Sequence, residues 1–346
     1  MSEGGYKIAL IGEAWGAEEA IAKRGFIGSS GQELTRMLND AGIDRGHCYI
    51  TNVFNIHPPG NNIEHFLVPK KESSPLIPGA LVPSKYLSPA YRDEILRLYA
   101  ELEELRPNIA ILLGNTACWA LLHDTKISKI RGAVTYSKVL PWLKCLPTYH
   151  PAAVLRQYDL RHVTVLDFVK ARVESEFPEV RRVEREIWLD PSLSDIAKFY
   201  ELYLKDASMI AFDIETNMST QITCIGFAPS KDKALVIPIY DYRKPTGSYW
   251  NSLEEELAAW DWVQKILDTP AIKLAQNGKF DMYHIWASYG ITVRNAGEDT
   301  MLLHHALHPE SPKSLDFLGS VYTNEMAWKT LRIKGMKSSK REDSVV

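Results

Sequence analysis

Cysteine is scarce in this chain of 346 residues, and its few positions are widely separated. There are four cysteines, none of them in a C-x-x-C pair: Cys48, Cys118, Cys145 and Cys224. A small disulfide-stabilised fold and a zinc site of paired cysteines both need more cysteine, closely spaced. The sequence therefore favours a protein of the reducing cytoplasm.

Long apolar runs and an excess of charge are also lacking. No stretch approaches the roughly 20 apolar residues of a membrane span, and the opening residues Met1–Gly5 lack the basic segment of a secretory signal. We therefore expect no membrane partner. The formal net charge is only −3, so any contact with nucleic acid must come from a local basic patch.

The apolar pattern indicates two α/β domains, and this length supports two separate cores. Short apolar runs alternate with helical periods in both halves, separated by a charged segment. The stretch 58–89 is rich in Pro, Gly, Ser and Asn, which predicts an exposed excursion. The predicted divisions are a first domain at 1–178, a linker at 179–190, a second domain at 191–330 and a flexible basic tail at 331–346.

Several glycine-rich and polar segments of the first half follow predicted strands, where ligands bind in parallel sheets. They are GEAWG (Gly12–Gly16), FIGSSG (Phe26–Gly31), ITNVFNIHPPGN (Ile50–Asn61), LLGNTA (Leu112–Ala117), KIRG (Lys129–Gly132) and TYHPAAVLR (Thr148–Arg156). Each segment alone is a weak signal. In this order and spacing, they resemble the motifs of family-4-type uracil-DNA glycosylases. The resemblance implies a three-layer α/β/α domain that excises uracil from DNA.

The resemblance assigns uracil recognition to three residues. Phe26 is expected to stack on the flipped base, Asn52 to pair with its edge and His150 to stabilise negative charge on the uracil O2. The alternatives are a core phenylalanine, an asparagine that caps a turn and a solvent-facing histidine.

Further residues of the same motifs receive supporting roles. Glu13 is expected to position water or stabilise the cation-like sugar, and Glu19 to bind near uracil and exclude the thymine methyl, although a solvated glutamate is an alternative. Ser29, Ser30 and Arg156 are candidate contacts to DNA phosphates.

Two departures from the family pattern stand out. Trp15 replaces the proline of GEAPG, and the cysteines do not fall at the family's iron–sulfur ligand positions. No iron–sulfur cluster is therefore expected.

The second half contains carboxylates at metal-binding spacing. Asp213 and Glu215 lie two apart on a predicted strand, so both project from one face. Asp281 follows in QNGKFDMYHI, and EDTMLLHHAL comes after it. This series resembles the 3′–5′ exonuclease domain of family-A DNA polymerases, an RNase-H-like α/β fold. The resemblance implies that Asp213, Glu215 and Asp281 hold Mg²⁺ or Mn²⁺, with Asp299 as a structural or outer-shell residue.

The last motif of that exonuclease family, a Tyr or His followed four residues later by an Asp, is absent after SLDFLGSVYT. We therefore expect an incomplete exonuclease domain with weak or no activity unless another chain completes it.

The order of the two domains resembles the N-terminal part of certain phage DNA polymerases. The predicted function is uracil-DNA glycosylase in DNA repair or replication, with uracil-containing or single-stranded DNA as partner and a DNA polymerase subunit as a possible second one. Two alternatives stay open at this point. The chain could be a non-catalytic DNA-binding accessory subunit, or its pocket could accept a different modified base.

Overall fold

The computed structural model describes residues 6–217 and 220–325, and the chain divides into two compact units. The first runs to Arg181 and also takes in the segment from Asp316, and the second is Arg182–Leu315. The division falls within the predicted linker 179–190. The domain bounds stay a prediction, and the predicted tail 331–346 lies outside the described residues. No helix in the described residues is long and apolar enough to cross a bilayer.

The first unit contains a five-stranded sheet in the order β2-β1-β5-β7-β6, parallel except for β6 at its edge. Its strands, with those of a separate two-stranded pair, are β1 (Ile8–Ala14), β2 (Cys48–Phe54), β3 (Leu67–Pro69), β4 (Lys85–Leu87), β5 (Ile109–Leu113), β6 (Thr135–Tyr136) and β7 (Lys144–Thr148). The helices between and after them are α1 (Ala17–Ala22), α2 (Ser29–Asp40), α3 (Arg92–Leu105), α4 (Asn115–Leu122), α5 (Ile127–Ile130), α6 (Pro151–Arg156) and α7 (Leu160–Glu174).

Successive strand residues point to opposite faces of this sheet, so apolar side chains lie on both faces. Helices cover both faces and bury these side chains. On one face Leu10 packs in a core with α2 and α7, and on the other Ile11 packs in a core with α3 and α4. The first unit is therefore a three-layer α/β/α domain, which confirms the predicted fold class.

The segment 58–89 differs from the predicted exposed excursion. Short 3₁₀ turns and the antiparallel pair β3–β4 occupy it. Phe66, Ile77 and Leu87 within it are at most 1% exposed and join the core beneath α3 and α4. The segment is a packed cover of the domain, since burying these side chains removes apolar surface from water.

The second unit contains a six-stranded sheet in the order β13-β12-β9-β10-β11-β8. The elements are β8 (Glu186–Trp188), α8 (Leu193–Phe199) with a π-helical turn at Tyr200–Leu204, β9 (Met209–Thr216), β10 (Ile222–Ser230), β11 (Lys233–Pro238), α9 (Leu253–Leu267), β12 (Ile272–Ala275), α10 (Lys279–Tyr289), β13 (Ala296–Asp299) and α11 (Thr300–Leu307). Strands β9, β10 and β11 form an antiparallel meander, and β12 and β13 continue it in parallel. This mixed α/β topology agrees with the predicted RNase-H-like fold class.

A final helix, α12 (Leu315–Tyr322), belongs almost entirely to the first unit although it follows the second in sequence. Arg131 of the KIRG segment and Lys170 of α7 donate hydrogen bonds to this helix and to the residue that follows it.

Candidate functional site

The carboxyl ends of β1 and β2 bring Gly12, Phe26 and Asn52 together. Gly12 pairs with Asn52 across the two parallel strands. A Cβ added at Gly12 would lie 2.3 Å from Asn52 Oδ1 and 2.5 Å from Phe26 Cζ. Contacts this short leave no room for a side chain, so glycine is required for the Phe26 ring and the Asn52 amide to meet at this point.

The third predicted recognition residue, His150, joins them from the end of β7. The ring centroids of Phe26 and His150 are 5.6 Å apart. Gly114, with φ of +88°, allows this approach, because a Cβ there would lie 3.1 Å from His150 Cβ. The structure thus brings Phe26, Asn52 and His150 into one cluster, and their roles toward uracil stay predictions.

The loop that carries Phe26 is held from both sides. Phe26 has a left-handed backbone with φ of +55°, and its carbonyl accepts a 2.7 Å hydrogen bond from Arg45, which also donates to the Gly31 carbonyl at 2.9 Å. Glu19 accepts from the N–H groups of Ile27 at 3.2 Å and Gly28 at 3.4 Å. The carboxylate of Glu19 therefore fixes the loop, and its contact with uracil stays a prediction.

Arg97 of α3 supports the strand end that carries Asn52. Its guanidinium donates to the carbonyl of Asn52 at 2.9 Å and to that of Val53 at 3.3 Å. Glu94 and Glu101 on the same helix pair with it. Sequence reasoning missed Arg97 because the i, i+3 and i, i+4 charge pairs are typical of a solvated helix face.

Glu13 lies next to Gly12, and the Thr116 hydroxyl at the start of α4 donates to its Oε2 at 2.6 Å. This hydrogen bond holds a half-buried carboxylate near the end of β1, one residue after Gly12. Its role toward water or the sugar stays a prediction.

The imidazole of His150 is neutral at physiological pH. Burial, assisted by the charge of Arg156, lowers the pKa of His150 to about 4. Its Nδ1 accepts a 3.1 Å hydrogen bond from the N–H of Ala152, so that His150 caps the start of α6. An accepting Nδ1 carries no proton, which places the proton of the neutral ring on Nε2.

We expect the lowered pKa to make the protein less stable in acid. Below pH 6.5, the ordinary histidine value, the unfolded chain takes up a proton that folded His150 binds only near pH 4, so stability falls as the pH drops through that window. Urea unfolding at pH 7 and pH 4.5 should show wild type losing about 2–3 kcal/mol more than His150→Asn. Asparagine retains the N-cap. Equal losses in the two proteins would contradict a neutral His150.

The three predicted phosphate contacts lie on two helices of the first unit. Ser29 and Ser30 begin α2, where N–H groups and the helix dipole favour anions. Arg156 ends α6 and is exposed. Their contact with DNA stays a prediction.

In the second unit, Asp213 and Glu215 both face outward from β9, as the alternation predicted. Asp281 is 4% exposed, and its Oδ1 accepts a 2.9 Å hydrogen bond from the N–H of Ile214, between the two strand carboxylates in sequence. Burial raises the pKa of Asp281. The three residues belong to adjoining elements, and their role as metal ligands stays a prediction.

Asp299 has a structural role. Its carboxylate accepts hydrogen bonds from N–H groups at the starts of α10 and α11, among them Gly278 at 2.9 Å and Met301 at 2.8 Å. Burial opposes ionisation of Asp299, but these N–H groups outweigh it and lower its pKa.

The predicted Mg²⁺ or Mn²⁺ site is not preformed. Throughout 6–217 and 220–325, no group of three or more His, Cys, Asp or Glu side chains is close enough to hold a metal ion. Oxygen ligands such as Asp213, Glu215 and Asp281 suit Mg²⁺ or Mn²⁺, and Asp213 and Glu215 present two of them on one exposed face of β9. The cysteines do not fit an iron–sulfur cluster either, because within the described residues no three of them lie together.

Comparison with known proteins identifies the first unit. The model of the uracil DNA glycosylase superfamily matches residues 2–171. A type-4 uracil-DNA glycosylase of Archaeoglobus fulgidus is 32% identical over 176 residues, 47% of this chain and 74% of that protein. A DNA polymerase of Bacillus phage SP01 is 25% identical over 285 residues, 70% of this chain but only 29% of the polymerase.

The Aedes aegypti Nibbler EXO domain is also similar, at 15% identity and a TM-score of 0.34, with 48% of this chain and 81% of that chain covered. The sequence matches confirm the predicted resemblance to type-4 uracil-DNA glycosylases and to a phage DNA polymerase. By its first unit, the chain belongs to the type-4 family of the uracil-DNA glycosylase superfamily.

Proposed function

We propose that the first unit hydrolyses the N-glycosidic bond of deoxyuridine in DNA. The observation that carries this proposal is the meeting of Phe26, Asn52 and His150 at the carboxyl ends of β1, β2 and β7, around a glycine that admits no side chain. Excision requires the base to leave the stack, at a cost of a few kcal/mol. Stacking on the Phe26 ring offsets part of that cost, about 1–3 kcal/mol.

Asn52 selects uracil by the pattern of its amide. The amide oxygen accepts from uracil N3–H and the amide nitrogen donates to O4, whereas cytosine presents the opposite donors and acceptors. Cytosine would leave buried polar groups unpaired, at about 1–3 kcal/mol each. Asn52 is 2% exposed, and Arg97 holds its backbone carbonyl, so the strand end that carries the amide is fixed.

His150 stabilises the departing base. With the proton on Nε2, the neutral ring donates a hydrogen bond to uracil O2, where negative charge develops as the glycosidic bond breaks. Glu13, held by Thr116, would stabilise the cation-like sugar by its negative charge or orient the attacking water. Ala14 offers no second carboxylate, so we assign no strong general base.

The test is an oligonucleotide that carries a single uracil, offered as single strand and as duplex, with thymine and cytosine versions as controls. We expect abasic sites, revealed by alkaline strand cleavage, in the uracil strand alone. Binding without abasic product would instead support the non-catalytic accessory role. Excision of a different modified base with uracil left intact would support altered specificity.

The DNA strand itself is proposed to lie over the start of α2 and the end of α6. Ser29 and Ser30 would bind one phosphate and Arg156 another, contacts that fix register without reading sequence. We further propose that the protein acts in the cytoplasm, that of the host if a phage encodes it, beside a DNA polymerase subunit. The similarity to the phage SP01 DNA polymerase supports this partner.

For the second unit we propose weak 3′–5′ trimming of single-stranded DNA that depends on Mg²⁺ or Mn²⁺. The exposed pair Asp213 and Glu215, with Asp281 bonded to the strand between them, supports this assignment. A divalent ion would activate water and stabilise the leaving oxygen.

Removal of Asp213 should abolish that trimming. We expect a 5′-labelled single strand with Mn²⁺ to be shortened slowly by the wild type and left intact by Asp213→Ala, because the variant lacks a ligand carboxylate. Asp232→Ala, which removes a half-buried carboxylate on the turn between β10 and β11, is the matched control. Trimming that survives in Asp213→Ala would remove Asp213 from the site, and no trimming by wild type would contradict the proposal.

A further inference from the structure

Thr148 occupies a buried position two residues before His150, at the end of β7. It is 0% exposed, and its hydroxyl donates to Asp167 Oδ2 at 2.6 Å. The Thr148 carbonyl accepts from the N–H of Gly114 at 2.9 Å. Side chain and main chain therefore both fix the strand end from which His150 projects.

Asp167 of α7 is fully buried, and a neighbouring arginine compensates the charge of its carboxylate. Arg131, 4% exposed, pairs with both carboxylate oxygens, and its Nε lies 3.0 Å from Oδ2. Loss of one partner from such a pair leaves an uncompensated buried charge, which is strongly destabilising. The acceptor of the Thr148 hydroxyl therefore has a fixed orientation, because the Asp167 carboxylate cannot rotate without breaking its ion pair with Arg131.

The segment that contains α12 packs against the outer side of the ion pair between Asp167 and Arg131. Arg131 Nη1 donates to the Ser320 hydroxyl at 2.8 Å. Lys170 donates to the carbonyls of Gly132 at 2.8 Å and Ser320 at 2.6 Å. A Cβ at Gly132 would lie 2.5 Å from the Ser320 carbonyl, so KIRG and α12 are in close contact.

We propose that Thr148, Asp167 and Arg131 are positioning residues for His150, and that Ser320 of α12 completes the network from outside; the proposal rests on the glycosylase function proposed above. His150 is the second residue after β7 and also the N-cap of α6. Its ring therefore follows any shift of the strand end. A displacement of about 1 Å at a reacting centre can cost about 100-fold in rate.

Thr148→Val and Thr148→Ser form the matched pair that tests this. Valine keeps the volume of threonine and removes the hydroxyl, whereas serine keeps the hydroxyl. On the uracil oligonucleotide we expect kcat of Thr148→Val to fall about 10- to 100-fold with KM changed less than about threefold. Thr148→Ser should restore kcat to within about threefold of wild type.

A double-mutant cycle with His150→Asn separates positioning from a general loss of structure. If Thr148 acts through His150, valine should lower single-turnover excision 10- to 100-fold in the wild type and less than about twofold in the His150→Asn background. Equal loss in both backgrounds, or kcat of Thr148→Val equal to that of wild type, would overturn the proposal.

Ser320→Ala keeps the test decisive if Thr148→Val does not fold, since Ser320 lies at the outer end of the network. We expect it to lower kcat about two- to fivefold in the wild type and not in His150→Asn; no change in kcat would overturn the proposal in that case. Absence of abasic product from wild type and Thr148→Ser alike would instead be a failure of the proposed function itself.

Discussion

Asn52→Ala is expected to lower kcat/KM for uracil excision about 10²- to 10³-fold while the protein stays folded. The variant removes two hydrogen bonds to the base edge in a site that excludes water, at about 1.5–2 kcal/mol each, and each 1.4 kcal/mol is a factor of ten. The measurement is the rate of abasic-site formation in the single-uracil oligonucleotide, followed at substrate concentrations below KM.

Asn39→Ala is the matched control for this prediction, because Asn39 is an exposed asparagine in the last turn of α2. Its kcat/KM should stay within about twofold of wild type. Discrimination against cytosine provides a second readout, since it depends on the same amide. If Asn52→Ala excised uracil at the wild-type rate, Asn52 would be only a residue that ends β2.

The candidate site was predictable to the extent that it lies at strand ends. The carboxyl ends of parallel strands meet at one edge of a sheet, so Gly12, Asn52 and His150 were expected near each other once β1, β2 and β7 were recognised. The register Gly12 opposite Asn52 adds what the motifs alone leave undetermined. It explains why a glycine must stand in the first motif.

The residues that hold the site in place were not predictable. Arg45, Arg97 and Asp167 act through long-range contacts, 19, 45 and 19 residues from the partners Phe26, Asn52 and Thr148. In sequence each is an ordinary charged residue, because nothing local distinguishes a guanidinium that caps a carbonyl from one that is solvated. The cover at 58–89 escaped prediction for a similar reason, since Phe66, Ile77 and Leu87 follow no helix or strand period.

Asp281 illustrates a different limit of sequence reasoning. The motif places it with Asp213 and Glu215, yet its carboxylate binds the Ile214 N–H. The ladder between β12 and β9 ends at Ala211, so the N–H of Ile214 lies beyond it and takes a side-chain acceptor instead, as buried N–H groups must. Where a ladder ends depends on tertiary packing, which the motif does not encode.

Gly12→Ala is expected to abolish uracil excision, with a loss of at least about 100-fold, and to lower the free energy of unfolding by about 1–3 kcal/mol. The new methyl would lie 2.3 Å from Asn52 Oδ1 and 2.5 Å from Phe26 Cζ, so both side chains must move away from the positions in which they meet. Gly79→Ala is the control, because a Cβ there has no neighbour closer than 4.0 Å and should leave the rate within about twofold. Abasic-site formation and urea unfolding measured on the same preparations separate the two effects. A Gly12→Ala protein that is folded and fully active would mean that base recognition does not take place between β1 and β2. The added methyl must displace the Phe26 ring or the Asn52 amide, and the proposed reaction needs both in their present positions.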